Sequence, residues 1–426
     1  MKNNVLLIGS GGREHALAWG ISRSPKLEKL FISPGNPGTD SLGTNIDLDV
    51  SNFELVWDFI QENDIHITVV GPEQPLVNGI ADFLEEKGHA VFGPKSKAAL
   101  LEGSKEFAKD FMKRQHIPTA SYEVFGDDEF DKAAEYIKER NAYPVVLKAD
   151  GLAGGKGVLI PESEAEALEA LEELKEGSLS DAASRLVIEE FMVGEEASVF
   201  AISDGENYKV IGNAQDHKRI NEGDTGLNTG GMGAYSPAPI VTKELLERVE
   251  KEIIEPTISG MNSEGNPYQG ILYVGLMVTD EGPKVVEYNC RFGDPECQVI
   301  VPAMQSDLLE VIIASTEGKL AETEIKLDEL YRCTVVIVSG GYPQNYEKGK
   351  EILGLESVDD GIVFHAGTKS ENGTLLTNGG RVLNIVGEGN SLQEAIDNSY
   401  QQVEKISFER SFYRRDIGAK GLKRLA

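Results

Sequence analysis

The sequence predicts a multidomain protein of mixed α/β and α+β class: an N-terminal parallel-sheet α/β domain, a central two-part domain and a small C-terminal α+β domain. Three observations lead there. Residues 4–94 alternate short apolar strands with helical stretches, the pattern of a parallel sheet covered on both faces. Residues 195–325 carry mostly strand signals. Residues 331–406 hold three further strands and a helix. The expected domains are 1–101, 102–325 with a smaller part over about 120–192, and 330–426. A chain of 426 residues that is 40% hydrophobic can bury a core in each.

In the first domain, strands are expected at 5–8, 29–33, 67–70 and 90–92, with helices reaching residue 22, starting near residue 52 and reaching residue 87. Glycine-rich turns fall where these strands end: Gly9-Ser10-Gly11-Gly12, Pro34-Gly35-Asn36-Pro37-Gly38 and Gly71-Pro72-Glu73-Gln74-Pro75. Ligands of such sheets sit at the carboxyl ends of the strands. A long helix over 96–115 leads to strands at 143–148 and 157–160, a helix over 164–175 with a solvated acidic face, and a strand at 185–191. A helix from about residue 307 closes the central domain. Strands at 333–338, 362–366 and 381–386 and a helix over 392–406 form the last.

Asp and Glu number 71 against 41 Lys and Arg, a net charge of −30. That disfavours a general nucleic-acid or anionic-membrane binder, which needs a basic footprint. It leaves room for small phosphorylated ligands held by local cations and backbone N–H groups. No apolar run approaches the roughly 20 residues of a membrane span. The N-terminus enters a strand without a signal-peptide pattern, so a cytoplasmic protein is expected. Cys290, Cys297 and Cys333 form neither a disulfide framework nor a C-x-x-C site, and the histidines lack metal-ligand spacing.

The most informative stretch is 285–296, Val-Val-Glu-Tyr-Asn-Cys-Arg-Phe-Gly-Asp-Pro-Glu. On a strand, Glu287 and Asn289 share one face. A carboxylate and an amide oxygen two residues apart suit one hard divalent cation beside nucleotide phosphates. If the extended path continues, Arg291 joins that face and can hold an anion in a flat fork. The segment Gly9-Ser10-Gly11-Gly12-Arg13-Glu14 links a strand to a helix; it can place N–H groups around an anion or serve only as a tight turn. Glu14 stands where the dinucleotide fingerprint needs its third glycine, and the second strand lacks the terminal acidic residue, which argues against NAD. Lys148 precedes Gly151-Leu152-Ala153-Gly154-Gly155-Lys156-Gly157, which can cover phosphates as a mobile lid or remain an unliganded hairpin. Its register is not that of a Walker A loop. Lys105, Lys109 and Lys113 recur at helical spacing and read as a solvated face. Residues 188–196 leave a strand into a turn, where backbone can pair with an adenine edge and Glu196 can accept both hydroxyls of a ribose. The polar segments 216–219 and 226–237 have the length and glycine content of functional connections.

Together and in this order, these segments resemble the ATP-grasp ligases, and among them the glycinamide ribonucleotide synthetases. The resemblance runs from Val5 to the Tyr413-Arg414-Arg415-Asp416-Ile417-Gly418 tail and rests on residues 9–15, 216–219, 228–237 and 291–296. Leu227 stands where the family pattern has proline. No acidic residue lies in 270–279, where many ATP-grasp enzymes place a further metal carboxylate.

The resemblance implies a central ATP-grasp domain with a lid over about 120–192. It implies ATP-dependent joining of glycine to 5-phosphoribosylamine through glycyl phosphate, a step of purine synthesis carried out by a monomer. Glu287 and Asn289 would hold Mg²⁺, with Mn²⁺ as a substitute. Lys105 and Lys148, with Gly154, Gly155 and Lys156, would meet the ATP phosphates. Glu189 and the backbone of Glu190, Phe191 and Met192 would hold adenine, with Glu196 on its ribose. Gly11, Gly12, Glu14, Asn36 and Gly38 would face the phosphoribosyl group. Arg291, with Asp216, Gly293 and Asp294, would order glycine or its acyl phosphate, Arg291 and Asp294 acting in catalysis, and Lys218 would bind substrate. The alternatives are another purine-pathway ligase on the same core and a nucleotide-sensing protein without turnover.

Overall fold

The computed structural model describes residues 2–151, 157–175 and 185–426. Its N-terminal sheet is parallel and five-stranded, in the spatial order Thr44–Asn45, Leu27–Pro34, Asn3–Gly9, Ile67–Val70 and Ala90–Phe92. Leu6 and Ile8 pack into one buried cluster and Val5 and Leu7 into another, so the central strand is apolar on both faces. The winding reverses between Asn3–Gly9 and Ile67–Val70. Ligands of such sheets enter the crevice beyond that reversal, here walled by the turns after Gly9 and Val70.

Two helices read as continuous are broken. The stretch expected over 96–115 divides into Ser96–Gly103 and Lys105–Arg114. Ser104 between them is extended, and its Oγ accepts the Phe107 N–H at 3.1 Å, a helix-starting cap. Asp150 then accepts the Ser104 hydroxyl at 3.1 Å and the Lys105 N–H. Similarly, Glu73–Val77 and Ile80–Glu86 are separated by Gly79 at φ 93°, a left-handed conformation that glycine adopts without strain.

The central region contains two sheets. The smaller has the order Tyr122–Gly126, Arg185–Glu190, Val145–Ala149 and Val158–Leu159, every pair antiparallel. Helices Phe130–Arg140 and Glu164–Glu173 cover it, giving it a core of its own around Ile137, Leu147, Leu171 and Ile188. The larger sheet has eight strands: Gly282–Asn289, Gln269–Thr279, Glu195–Asp204, Tyr208–Asp216, Gly233–Ser236, Tyr331–Val338, Arg381–Gly389 and Ile362–His365. The C-terminal strands therefore extend the central sheet through the pairing of Gly233–Ser236 with Tyr331–Val338. The strand-rich reading of 195–325 overlooked helices Lys243–Val249 and Glu255–Ser263; the Thr242 hydroxyl caps the first by accepting the Leu245 N–H at 3.2 Å. Among the described residues, no helix is long and apolar enough to cross a membrane.

The chain's tail is tied back into the central region by Arg414, whose side chain is fully buried. It donates to Asp416 at 2.7 and 2.8 Å, to Asp224 at 2.9 Å and to the Arg219 carbonyl at 2.9 Å. Removing one partner of a buried ion pair leaves the other charge uncompensated. Arg414→Met is expected to lower unfolding free energy by roughly 3 kcal/mol, read from urea denaturation. A loss below about 0.5 kcal/mol, the size of an ordinary surface change, would show that the tail is not held through this group.

Candidate active site

Strand Gly282–Asn289 forms one edge of the large sheet, with Gly275 opposite Glu287 and Tyr273 opposite Asn289. Val285 and Tyr288 turn into the core, and the Tyr288 hydroxyl lies 2.9 Å from Thr257 Oγ1. Glu287 is exposed and Asn289 partly so. The strand thus gives both the same open face, as its alternation predicts.

Lysines from two other elements converge on this strand. Lys148, on Val145–Ala149, reaches to 3.4 Å from the Val286 carbonyl. Lys105 begins the helix Lys105–Arg114 and donates to the Gly151 carbonyl at 2.7 Å. Burial holds the Lys105 pKa below its ordinary value; Asp150 and Glu287 oppose that shift and Lys148 adds to it. Gly154, Gly155 and Lys156 lie outside the described residues.

The structure departs from the adenine reading at Glu189. Its carboxylate is buried between Lys148 Nζ at 2.9 Å and Lys109 Nζ at 3.0 Å, so it is committed to two lysines. Burial alone would raise its pKa, but the two cations hold it below the usual value. Lys109 was overlooked as part of a solvated stripe, yet it is buried and also donates to Thr119 at 2.8 Å. The sequence signal available was its turn of helix, where apolar Ala108 and Met112 flank it on the buried face. Glu190 points to Ser121, whose hydroxyl donates at 2.9 Å. Phe191 is exposed on the connection to Glu195–Asp204, and Met192 is half-buried there.

Glu196, Asp216 and Lys218 line one small pocket with Tyr273, Gly275 and Val286, beside Glu287 on the same face of the sheet. Lys218 donates to Glu196 at 2.6 Å, and this ion pair is the main cause of the lowered Glu196 pKa. Burial raises the Asp216 pKa. Glu296, which sequence reasoning left without a role, is buried nearby; burial and then the Asp216 charge push its carboxyl up to about 7. Its side chain fills the space a Cβ on Gly293 would need.

On the N-terminal side the chain's own carboxylates occupy the donors expected to meet a phosphate. Glu14 accepts the Gly11 N–H and the Arg13 guanidinium, both at 2.6 Å. Asp294 accepts the Arg13 N–H at 3.2 Å and the Gln298 amide at 2.9 Å. A Cβ on Gly12 would strike Asn384 and Gln298. The Asn36 amide donates to the Ser10 carbonyl at 2.8 Å and the His365 carbonyl at 3.0 Å, while its oxygen accepts the Gly38 N–H at 2.9 Å. Asn36 and Gly38 are therefore engaged in bracing this turn against the C-terminal strands. Arg291 is held by three acceptors: Glu73 at 3.1 Å, Glu102 at 2.7 Å and the Phe292 carbonyl at 3.2 Å. Glu73 and Glu102 were not foreseen, although Glu73 stands in a glycine-proline turn at a strand end, where ligand contacts concentrate.

Among the described residues, no group of three His, Cys, Asp or Glu side chains is placed to hold a metal. The Glu287 and Asn289 oxygens nonetheless fit a hard divalent cation. Two oxygen donors on an open face leave the remaining positions to phosphate oxygens and water, which is how Mg²⁺ is usually bound beside a nucleotide.

A carboxylate–amide pair on an antiparallel sheet, faced by Lys148 from a smaller sheet and Lys105 from a helix, is the arrangement expected of an ATP-grasp enzyme. The comparisons with known proteins narrow the class. Family models described as the N domain, the ATP-grasp (A) domain and the C domain of phosphoribosylglycinamide synthetase match residues 3–102, 103–297 and 332–420. The chain belongs to the phosphoribosylglycinamide synthetase family. It is 50% identical to a phosphoribosylamine–glycine ligase of Chlorobaculum tepidum over 425 residues, covering 98% of this chain and 100% of the relative. One from Mesorhizobium japonicum is 50% identical over 423 residues, covering 99% of each. The crystal structure of phosphoribosylamine–glycine ligase from Thermotoga maritima superposes with a TM-score of 0.84 at 36% identity, covering 97% of this chain and 100% of that one. A biotin carboxylase domain from Hydrogenobacter thermophilus, 16% identical with a TM-score of 0.74 over 100% of this chain and 99% of that one, shares the fold.

Glu296 yields a pH prediction. Its folded-state pKa of about 7 exceeds the ordinary 4.5, so between those values the folded chain keeps a proton that the unfolded chain releases. The stability it contributes is present below pH 4.5 and lost as pH rises through 7. Glu296→Gln, which mimics the protonated form, should therefore gain on the native chain in thermal unfolding between pH 5 and pH 8. A constant difference across that range would show that Glu296 ionises normally.

Proposed function

We propose that the cleft around Glu287 binds ATP and a divalent cation, and that Arg291 presents glycine to the transferred phosphoryl group. The chain is an ATP-dependent ligase that joins glycine to 5-phosphoribosylamine, giving glycinamide ribonucleotide, ADP and phosphate in purine biosynthesis. The observation that carries the site assignment is one of continuity. Glu287 and Asn289 lie opposite Lys105 and Lys148, and the same chain segment leads directly into Arg291, beside the crevice of the N-terminal sheet.

Carboxylates are poor electrophiles. A glycine carboxylate oxygen takes the γ-phosphoryl group of ATP, releasing ADP; the amine nitrogen of the ribosylamine then attacks the acyl carbon, the bond to phosphate breaks and the nitrogen loses a proton. Catalysis of this kind rests on positioning and charge neutralisation. Lys105 and Lys148 neutralise phosphate oxygens, and Glu189 with Lys109 fixes Lys148 for that task. Glu287 and Asn289 hold Mg²⁺, with Mn²⁺ as a substitute, which supplies further charge neutralisation when bound. The backbone of Glu190–Met192 meets adenine. Glu196, oriented by Lys218, accepts the ribose hydroxyls. Asp216 and Gly293 border the glycine, and Asp294 holds the turn that follows Arg291. The phosphoribosyl group approaches the Gly9–Gly12 turn from its exposed Ser10 side, because Glu14 already caps Gly11.

We assign residues 1–101 to the phosphoribosyl substrate, 102–325 to ATP and 330–426 to bracing both. The protein acts as a cytoplasmic monomer on small molecules and not on nucleic acid; its net charge of −30 supports the last point.

ADP release should require glycine and phosphoribosylamine together, because an acyl phosphate has to be kept from water until the amine arrives. Equal turnover with aspartate or glutamate would refute the substrate assignment. Glu287→Gln should lower kcat by about 10²-fold, roughly 2.7 kcal/mol of transition-state stabilisation. A folded variant with native kcat and native Mg²⁺ dependence would remove Glu287 from the metal site.

A further inference from the structure

Arg291 is the one cation proposed to receive the substrate carboxylate, yet two carboxylates of the chain already share its guanidinium. They are not equivalent. Glu102 lies on helix Ser96–Gly103, its side chain 7% exposed, and bonds Arg291 Nη2 at 2.7 Å. Its second oxygen accepts the Cys290 N–H at 2.7 Å, directly after the strand that carries Glu287 and Asn289. Moving it would strand a buried backbone donor as well as a buried charge. Glu73 is the looser partner. Its side chain is 30% exposed, it meets Arg291 Nε at 3.1 Å, and it starts a helix of only five residues after the Gly71-Pro72 turn.

A third carboxylate cannot join the same guanidinium at little cost while both remain, since like charges at contact distance repel strongly away from bulk water. One has to leave, and the partly exposed Glu73 can return to solvent whereas the buried Glu102 cannot. A small pocket beside Arg291 is lined by Gly71, Gly93, Ile271, Cys290 and Phe292, where the N-terminal strand ends meet the segment that follows the Glu287 strand.

We propose that Glu73 is an internal stand-in for the substrate carboxylate: it fills the Arg291 fork until glycine displaces it, while Glu102 remains and positions the fork. This rests on the reading that Arg291 receives glycine. It makes glycine entry a carboxylate-for-carboxylate exchange that frees the N-terminal sheet's Glu73 at the moment the acyl substrate is seated. Arg13 and Arg291 hold the Glu73 carboxylate charged against the effect of burial, so it competes throughout the neutral range.

The test is the glycine KM of three variants at saturating ATP and phosphoribosylamine. Glu73→Gln removes the competing charge at constant size, and Glu73→Asp keeps the charge but shortens its reach. Both should lower the glycine KM, by roughly three- to ten-fold for Glu73→Gln, as expected when a competing internal state is removed, with the KM for ATP unmoved. A glycine KM that is unchanged or raised in both variants, with native thermal stability, would overturn the exchange. Arg291→Met separates this from the underlying reading. If it raises the glycine KM while the Glu73 variants do nothing, only the exchange fails; if it leaves the glycine KM unmoved, the Arg291 assignment itself falls.

Discussion

The structure depends on a charged junction around Asp294. This one residue is bonded from three directions: the Arg13 N–H of the N-terminal helix at 3.2 Å, the Gln298 amide at 2.9 Å, and Arg381 of the C-terminal strands at 3.3 Å. Arg381 also donates to the Asp294 and Gly230 carbonyls, each at 2.6 Å. Burial would raise the Asp294 pKa, but Arg381 and Arg13 hold it below the usual range. A carboxylate satisfied this fully is costly to disrupt, since losing any donor leaves a charge in a poorly hydrated place. The turn that follows the Glu287 strand is thereby fixed to both ends of the chain.

A protein of net charge −30 handles polyphosphate by local arrangement rather than by its average field. Lys105, Lys109 and Lys148 come from two elements, and Glu189 sits between the last two. That carboxylate makes it possible to bury two ammonium groups side by side. The same logic recurs at Arg291 with Glu73 and Glu102, and at Lys218 with Glu196. Lys148, Lys218 and Arg291 are each oriented by an acidic partner behind or beside them. Direction, more than quantity, is what the charges provide.

Local patterns made much of this legible. The parallel sheet followed from apolar runs separated by glycine turns. The common face of Glu287 and Asn289 followed from the two-residue period of a strand. What could not be read was long-range partnership. Glu73, Glu102 and Glu296 are ordinary acidic residues until folding sets them beside Arg291 or Asp216. Lys109 has the same spacing as half-buried Lys105 and exposed Lys113, and its apolar neighbours Ala108 and Met112 are the only local hint that it faces inward. The Gly9–Gly12 turn shows the limit from the other side: its residues suit an anion, and the anions the fold brings there are Glu14 and Asp294. The break at Ser104 was visible as a capping residue after glycine, but helical periodicity on both sides masked it.

The pairing of Gly233–Ser236 with Tyr331–Val338 also sets how the molecule can be divided. Tyr235 and Ala234 are fully buried there, as are Val335 and Val336 on the partner strand. A shortened gene product ending near residue 325 would leave Gly233–Ser236 as a bare sheet border, with unpaired N–H and C=O groups and an apolar face stripped of its cover. Such borders recruit strands from neighbouring molecules. The C-terminal strands thus complete the sheet that carries Glu287, covering a border that would otherwise be open to pairing.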